Sequence, residues 1–121
     1  MACQADGLTA QMLSNLELLF RKLDTVREFI GRPIVVHVAW RSVPYNALVK
    51  GAHDSAHLAL EDGVAAVDFH VSGILCLQAR EAFLPMLETW GMRMEDNGPH
   101  GNWIHLDTRS VPVGGHRFFI P

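Results

Sequence analysis

The chain has 121 residues, 49% of them apolar and 19% charged, and a formal net charge of −3. That length suits one domain able to bury a core without disulfide staples, and the composition is globular rather than disordered. A mildly acidic balance, with a pI near 6.1 and no basic cluster, removes the electrostatic case for nucleic acid or an anionic membrane as partner.

Met1 to Gly7 has no basic region leading into an apolar segment, so no secretory signal is expected. No apolar run approaches a bilayer span. A soluble chain, cytoplasmic as synthesised, is the expectation. Of the two cysteines, Cys3 falls in a frayed terminus and Cys76 in an apolar stretch, where a buried free thiol is expected rather than a disulfide.

Leu8 to Ile30 reads as an amphipathic helix, with Met12, Leu16, Leu19, Phe20, Leu23 and Ile30 on one face. Thr9 is its N-cap, and Gly31 with Pro33 stops it. Ile34 to Trp40 is β-branched and apolar, a buried strand in which His37 is a satisfied core histidine. Arg41 to Ala56 reads as a long loop with a helical turn near Asn46 to Lys50; His53 lies in it. Val64 to Val71 is a second strand, and Asp68 and His70, two apart, share one of its faces. A second helix runs from Ser72 or Gly73 to Trp90 with Ala79, Ala82, Phe83, Met86, Leu87 and Trp90 as its stripe. Pro85 predicts a break in it and Gly91 its end. Met92 to Met94, Trp103 to Asp107 and His116 to Ile120 are further strand candidates. The order predicts an α+β chain, helices packed on a mainly antiparallel sheet.

Seven histidines is a high count for this length. Five of them (His53, His57, His70, His100 and His105) fall between the first strand and the Trp103 to Asp107 strand, among Asp54, Glu61, Asp62, Asp68, Glu95, Asp96 and Asp107. Imidazole and carboxylate donors suit zinc, and a catalytic zinc keeps three protein ligands and one open position. Spacing alone selects no particular set, since there is neither an H-E-x-x-H nor a paired C-x-x-C.

The order of motifs is more informative: Arg41-Ser42 with Pro44 and Asn46, then Ser55-Ala56-His57, then Gly63 to Phe69 (GVAAVDF), then Trp103 to Asp107 (WIHLD). From about Leu16 to Asp107 this resembles the zinc D-alanyl-D-alanine carboxypeptidase family. That family takes in VanX- and VanY-like peptidases, L-alanyl-D-glutamate endolysins and the hedgehog-type superfamily. The resemblance implies a hedgehog/D-Ala-D-Ala peptidase-like fold and zinc held by His57, Asp68 and His105. It implies Arg41 on the substrate carboxylate or the oxyanion, and Ser55 near metal or substrate. The substrate implied is a peptidoglycan-derived peptide, with the cell wall as the place of action; the small size is similar to phage proteins of this group.

The resemblance also implies a spacing of roughly seven residues from first ligand to aspartate, whereas Asp68 follows His57 by eleven; loops absorb such differences cheaply. Residues within Leu58 to Asp62 are therefore expected to bulge outward, with Asp62 and His70 as alternative ligands. For the catalytic base the resemblance implies a His or Glu shortly before the last ligand. His100, five residues ahead of His105, is the first candidate, and Glu95 or Asp96 the carboxylate alternatives.

Each assignment has a plainer counterpart. Asp68 in an apolar strand needs a partner, which an arginine (Arg41 or Arg80) would supply as well as a metal. His105 could be a core histidine held by Asp107, an arrangement that also suits support of a ligand. His70 reads as supporting or solvated, and Trp40, Trp90 and Trp103 as core residues, Trp40 or Trp103 alternatively flooring a cleft. The rival functions are a catalytically inactive zinc-binding or structural protein of the same fold, and a metal-free ligand-binding protein in which Asp68 pairs with arginine.

Overall fold

The computed structural model of the chain describes residues 8–51, 54–98 and 100–120, which leaves Cys3 and His53 outside the described residues. Helix α1 (Ala10–Ile30) starts at Thr9, whose hydroxyl accepts the Met12 amide while Met12 Sδ accepts the Thr9 amide. Gly31, at φ 66°, closes it in the left-handed conformation that a Cβ disfavours. Met12, Leu16, Leu19, Leu23 and Val26 face the core, but Phe20, expected among them, is 44% exposed. At 100° per residue the stripe centres between Leu19 and Leu23, which turns Phe20 to its margin and Asn15 inward.

Five strands form one sheet in the order β1-β2-β4-β3-β5. These are β1 (Ile34–Val38), β2 (Ala66–Val71), β3 (Arg93–Glu95), β4 (Ile104–Asp107) and β5 (Phe118–Phe119). Neighbours run antiparallel except β3 and β5, which are parallel. The expectation of a buried first strand fails: β1 is a sheet edge, and Val35 and Val36 are both more than 40% exposed. Its apolar pattern is that of a central strand, but it has only β2 as neighbour. Helix α2 (Val43–Leu48) falls earlier than the predicted turn because Ser42 Oγ accepts the Tyr45 amide and Pro44 fits the first turn. The second long helix is interrupted as Pro85 predicts: α3 (Cys76–Phe83) passes through a 3-10 turn (Leu84–Met86) into α4 (Leu87–Trp90), which Gly91 ends.

Strand alternation divides the sheet into two faces. Val67, Phe69 and Val71 of β2, Met94 of β3, and Ile104 and Leu106 of β4 pack with α1, α3 and α4 in one core. The alternating residues, Ala66, Asp68, His105, Asp107, Arg93 and Glu95, lie on the other face. Part of that face is covered by the segment joining β1 to β2, through a small cluster of Ala56, Val64 and Ala66.

The residues between His57 and Asp68 do not simply bulge outward. Leu58 and Ala59 are buried, and the segment is pinned to α1 by Asn15, itself 2% exposed. Asn15 Nδ2 donates to the carbonyls of Ala59 (2.9 Å) and Glu61 (2.7 Å), and its Oδ1 accepts the Gly63 amide (2.9 Å). An inward amide that meets three backbone groups satisfies what would otherwise be orphaned donors and acceptors. Among the described residues no helix is long and apolar enough to cross a membrane.

Candidate metal centre

The register of β2 and β4 sets Asp68 directly opposite His105, both on the face away from the helices. His57 reaches them from the 3-10 turn Ala56–Leu58. Two contacts hold that turn: Ser55 Oγ accepts the His57 amide at 3.3 Å, and the Arg41 amide donates to the His57 carbonyl at 3.0 Å. One potential ligand atom from each of His57, Asp68 and His105 lies within 4.8 Å of the others. His57 Nε2 and His105 Nδ1 both address the same oxygen, Asp68 Oδ1, at 3.2 and 2.9 Å. Three side chains remote in sequence thus meet at one point.

Behind His105 the network continues. His105 Nε2 is 2.9 Å from Asp107 Oδ2, and Asp107, fully buried, takes a two-pronged ion pair from Arg93, both contacts 2.9 Å. Arg93 in turn lies 4.0 Å from the Phe119 ring centroid. Burial alone would lower the basicity of His105, but hydrogen bonds to Asp107 and Asp68 outweigh it and raise its pKa to about 9. Burial would likewise raise both carboxylates. Arg93 and His105 instead hold Asp107 down at about 2, and hydrogen bonds from His105 and His57 hold Asp68 well below the ordinary carboxylate range. Two carboxylates thus concentrate negative potential on one buried imidazole. A divalent cation is attracted to the same place.

The donors fit such an ion. Two imidazoles and a carboxylate form a zinc-type set, and Asp107 on the far nitrogen of His105 is the support that metal-bound histidines usually have. His57 presents Nε2 to Asp68, and its other ring nitrogen, Nδ1, is buried without a hydrogen-bond partner. The arginine alternative for Asp68 is not realised. Arg41 Nη1 donates to Asn46 Oδ1 at 3.1 Å, and Arg80, buried, donates to the carbonyls of Trp103 and Gly98. Asp62 and His70 do not replace Asp68 either: Asp62 accepts from Gln11 on the surface, and His70 pairs with His37.

The two base candidates separate. Arg93 faces Asp107 and Met94 faces Leu106, so the next step of that register sets Glu95 opposite His105. Glu95 and His105 line one cavity of about 420 Å³ together with Ser55, Arg93 and Arg109. His100 is exposed and lines a different cavity with His70, Cys76 and Asn102. Cys76 is half-buried rather than enclosed, with burial still raising its thiol pKa. Trp103, expected in the core, is 40% exposed, while Trp90 is buried. His37 is not a core histidine but an exposed one, a consequence of the edge position of β1. Two residues of consequence were not singled out from sequence. Asn15 interrupts an apolar stripe, and Arg93 alternates with Glu95 about a buried methionine; each pattern is a usable signal only once the facing element is known.

This α+β chain gathers two buried histidines and an aspartate in a cluster that could hold a transition metal, and His105 of that cluster lines a cavity. The family model for peptidase M15 matches residues 1–107, and the chain belongs to that family, which makes a peptide the class of substrate. Neither a curated protein nor a solved structure gives a match.

Proposed function

We propose that this chain is a zinc-dependent peptidase of the hedgehog/D-Ala-D-Ala peptidase type, acting on peptide bonds of peptidoglycan stem peptides, with His57, Asp68 and His105 as zinc ligands. The single observation that carries the reading is the convergence of those three side chains in a member of the peptidase M15 family. When bound, zinc supplies a water of pKa about 7 and polarises the scissile carbonyl.

The chain's own residues do the rest. Glu95, in register with His105 and on the same cavity, takes the proton of the attacking water and passes it to the leaving amine. This position supports Glu95 over His100, which lines the other cavity. Arg41 is braced by Asn46, and its backbone is bonded to that of His57. Its charge serves the substrate carboxylate or the developing oxyanion. Ser55 holds the turn that carries His57 and stands at the cavity wall. Asp107 fixes which nitrogen of His105 faces the metal.

The test is elemental analysis with hydrolysis of D-Ala-D-Ala and L-Ala-D-Glu peptides, on wild type and on His57→Ala and His105→Ala. Stoichiometric zinc and turnover in the wild type, both lost in each variant, is the expected result. Zinc retained in both variants would overturn the ligand set. Zinc bound without turnover on any wall peptide would make the chain a non-catalytic zinc protein.

A further inference from the structure

We propose that His37 and His70 form a second site for a divalent transition cation (copper, nickel or zinc), distinct from the cluster of His57, Asp68 and His105. His37 Nε2 and His70 Nδ1 are 2.7 Å apart, and the ring centroids are 4.9 Å apart. The backbone arranges this meeting. Val35 pairs with His70 and Val38 with Asp68, and the register shifts between Val36 and Val38. His37 is therefore the extra residue of a bulge, a device that re-aims a side chain.

Two imidazoles this close share one hydrogen bond, one ring giving an N–H and the other a lone pair. His37 is exposed on the edge strand and His70 half-buried on its neighbour, so water competes for the bond and its net contribution to stability is small. The fold does not need the contact. A tetrahedral ion with N ligands at about 2.1 Å places two of them roughly 3.4 Å apart. From 2.7 Å, the two nitrogens need to part by roughly 0.7 Å to reach that separation. Imidazole pairs suit copper, nickel and zinc rather than magnesium or calcium, and copper is favoured among them. Water completes the shell, so this site is weaker than the three-donor cluster.

The site is separate from the reaction. His70 follows Asp68 by two residues, about 6.7 Å along the strand. The paired ions of two-metal hydrolases lie only about 3.5–4 Å apart. A cation here stands at the rim of the cavity that His70 shares with Cys76 and His100.

Calorimetric titration of the metal-free protein with zinc tests the proposal without reference to activity. The wild type is expected to take two equivalents, one tight and one weaker. His37→Ala should keep only the tight one, and His57→Ala only the weaker one. Should His37→Ala lose its helical circular dichroism, His70→Asn carries the same expectation. A single equivalent in the wild type that disappears in His57→Ala overturns the proposal, as does a weaker equivalent that survives loss of His37. A single equivalent that is lost in His37→Ala and kept in His57→Ala supports this site and sinks the peptidase ligand set instead.

Discussion

Two groups of histidines stand in opposite circumstances. His57 and His105 are buried and bound to carboxylates, and His105 sits between two of them. His37 and His70 bond to each other, and His37 and His100 meet solvent; among the described residues none of the three has a carboxylate partner. A buried charge network is expensive unless every member is matched, so the first group is wired for one purpose. The second group is free to take a ligand or to do without one. Burial with charge compensation, not the count of histidines, marks the centre.

That contrast can be broken at its most enclosed member. Asp107→Ala leaves Arg93 and His105 without their shared anion in a buried place. It should cost about 3–5 kcal/mol of stability and lower zinc affinity by about 10–100-fold, read by urea unfolding and chelator competition. An unfolding midpoint unchanged from wild type would mean that the ion pair is not holding β3 to β4. Next in size is Glu95→Gln, which keeps the shape and removes the carboxylate proposed as base. It should reduce kcat by about 10²–10⁴-fold with zinc content unchanged, and activity above a tenth of wild type would remove Glu95 from the reaction.

A subtler effect follows from pH. In the metal-free protein the pKa of His105 stands at about 9 against an ordinary 6.5, so its contribution to stability is complete below pH 6.5 and fades as pH rises through 9. For Asp107, held at about 2 against 3.8, the contribution is complete above pH 3.8 and fades as pH falls through 2. Metal-free protein should therefore be most stable between about pH 4 and 6.5. Bound zinc needs a neutral imidazole, so the alkaline loss should disappear in the zinc form. Denaturation curves at pH 5, 7 and 9 with and without zinc check both halves. Metal-free protein that gains stability from pH 7 to 9 would contradict the proton held between the two carboxylates.

Local chemistry made much of this legible in advance. Thr9 and Gly31 bound α1, Pro85 breaks the second helix, and the two-residue spacing of Asp68 and His70 sets both on one face of β2. Each of these depends on residues within one or two turns or pleats. What could not be read depends on partners far along the chain. Asn15 looks like a flaw in an apolar stripe until Ala59 and Glu61, 44 and 46 residues on, bring their carbonyls to it. Strand β1 has the composition of a central strand, and only the order of strands puts it at the edge and exposes His37. The choice between His100 and Glu95 was equally non-local. Distance along the chain favoured His100, whereas pairing of β3 with β4 sets Glu95 beside His105.

The smallest predicted effect bears directly on that choice. A general base must come within hydrogen-bond reach of the water it deprotonates, directly or through one intervening water. His100 is exposed and lines a cavity with His70 and Cys76, apart from the one that Glu95 and His105 share. Replacing it by glutamine keeps a polar side chain there and removes the imidazole. His100→Gln should leave zinc content unchanged and kcat within about threefold of wild type, any larger change falling on KM as lost substrate binding. If kcat instead falls as far as in Glu95→Gln, the reacting water faces the His70 side of the sheet, and the two cavities exchange roles.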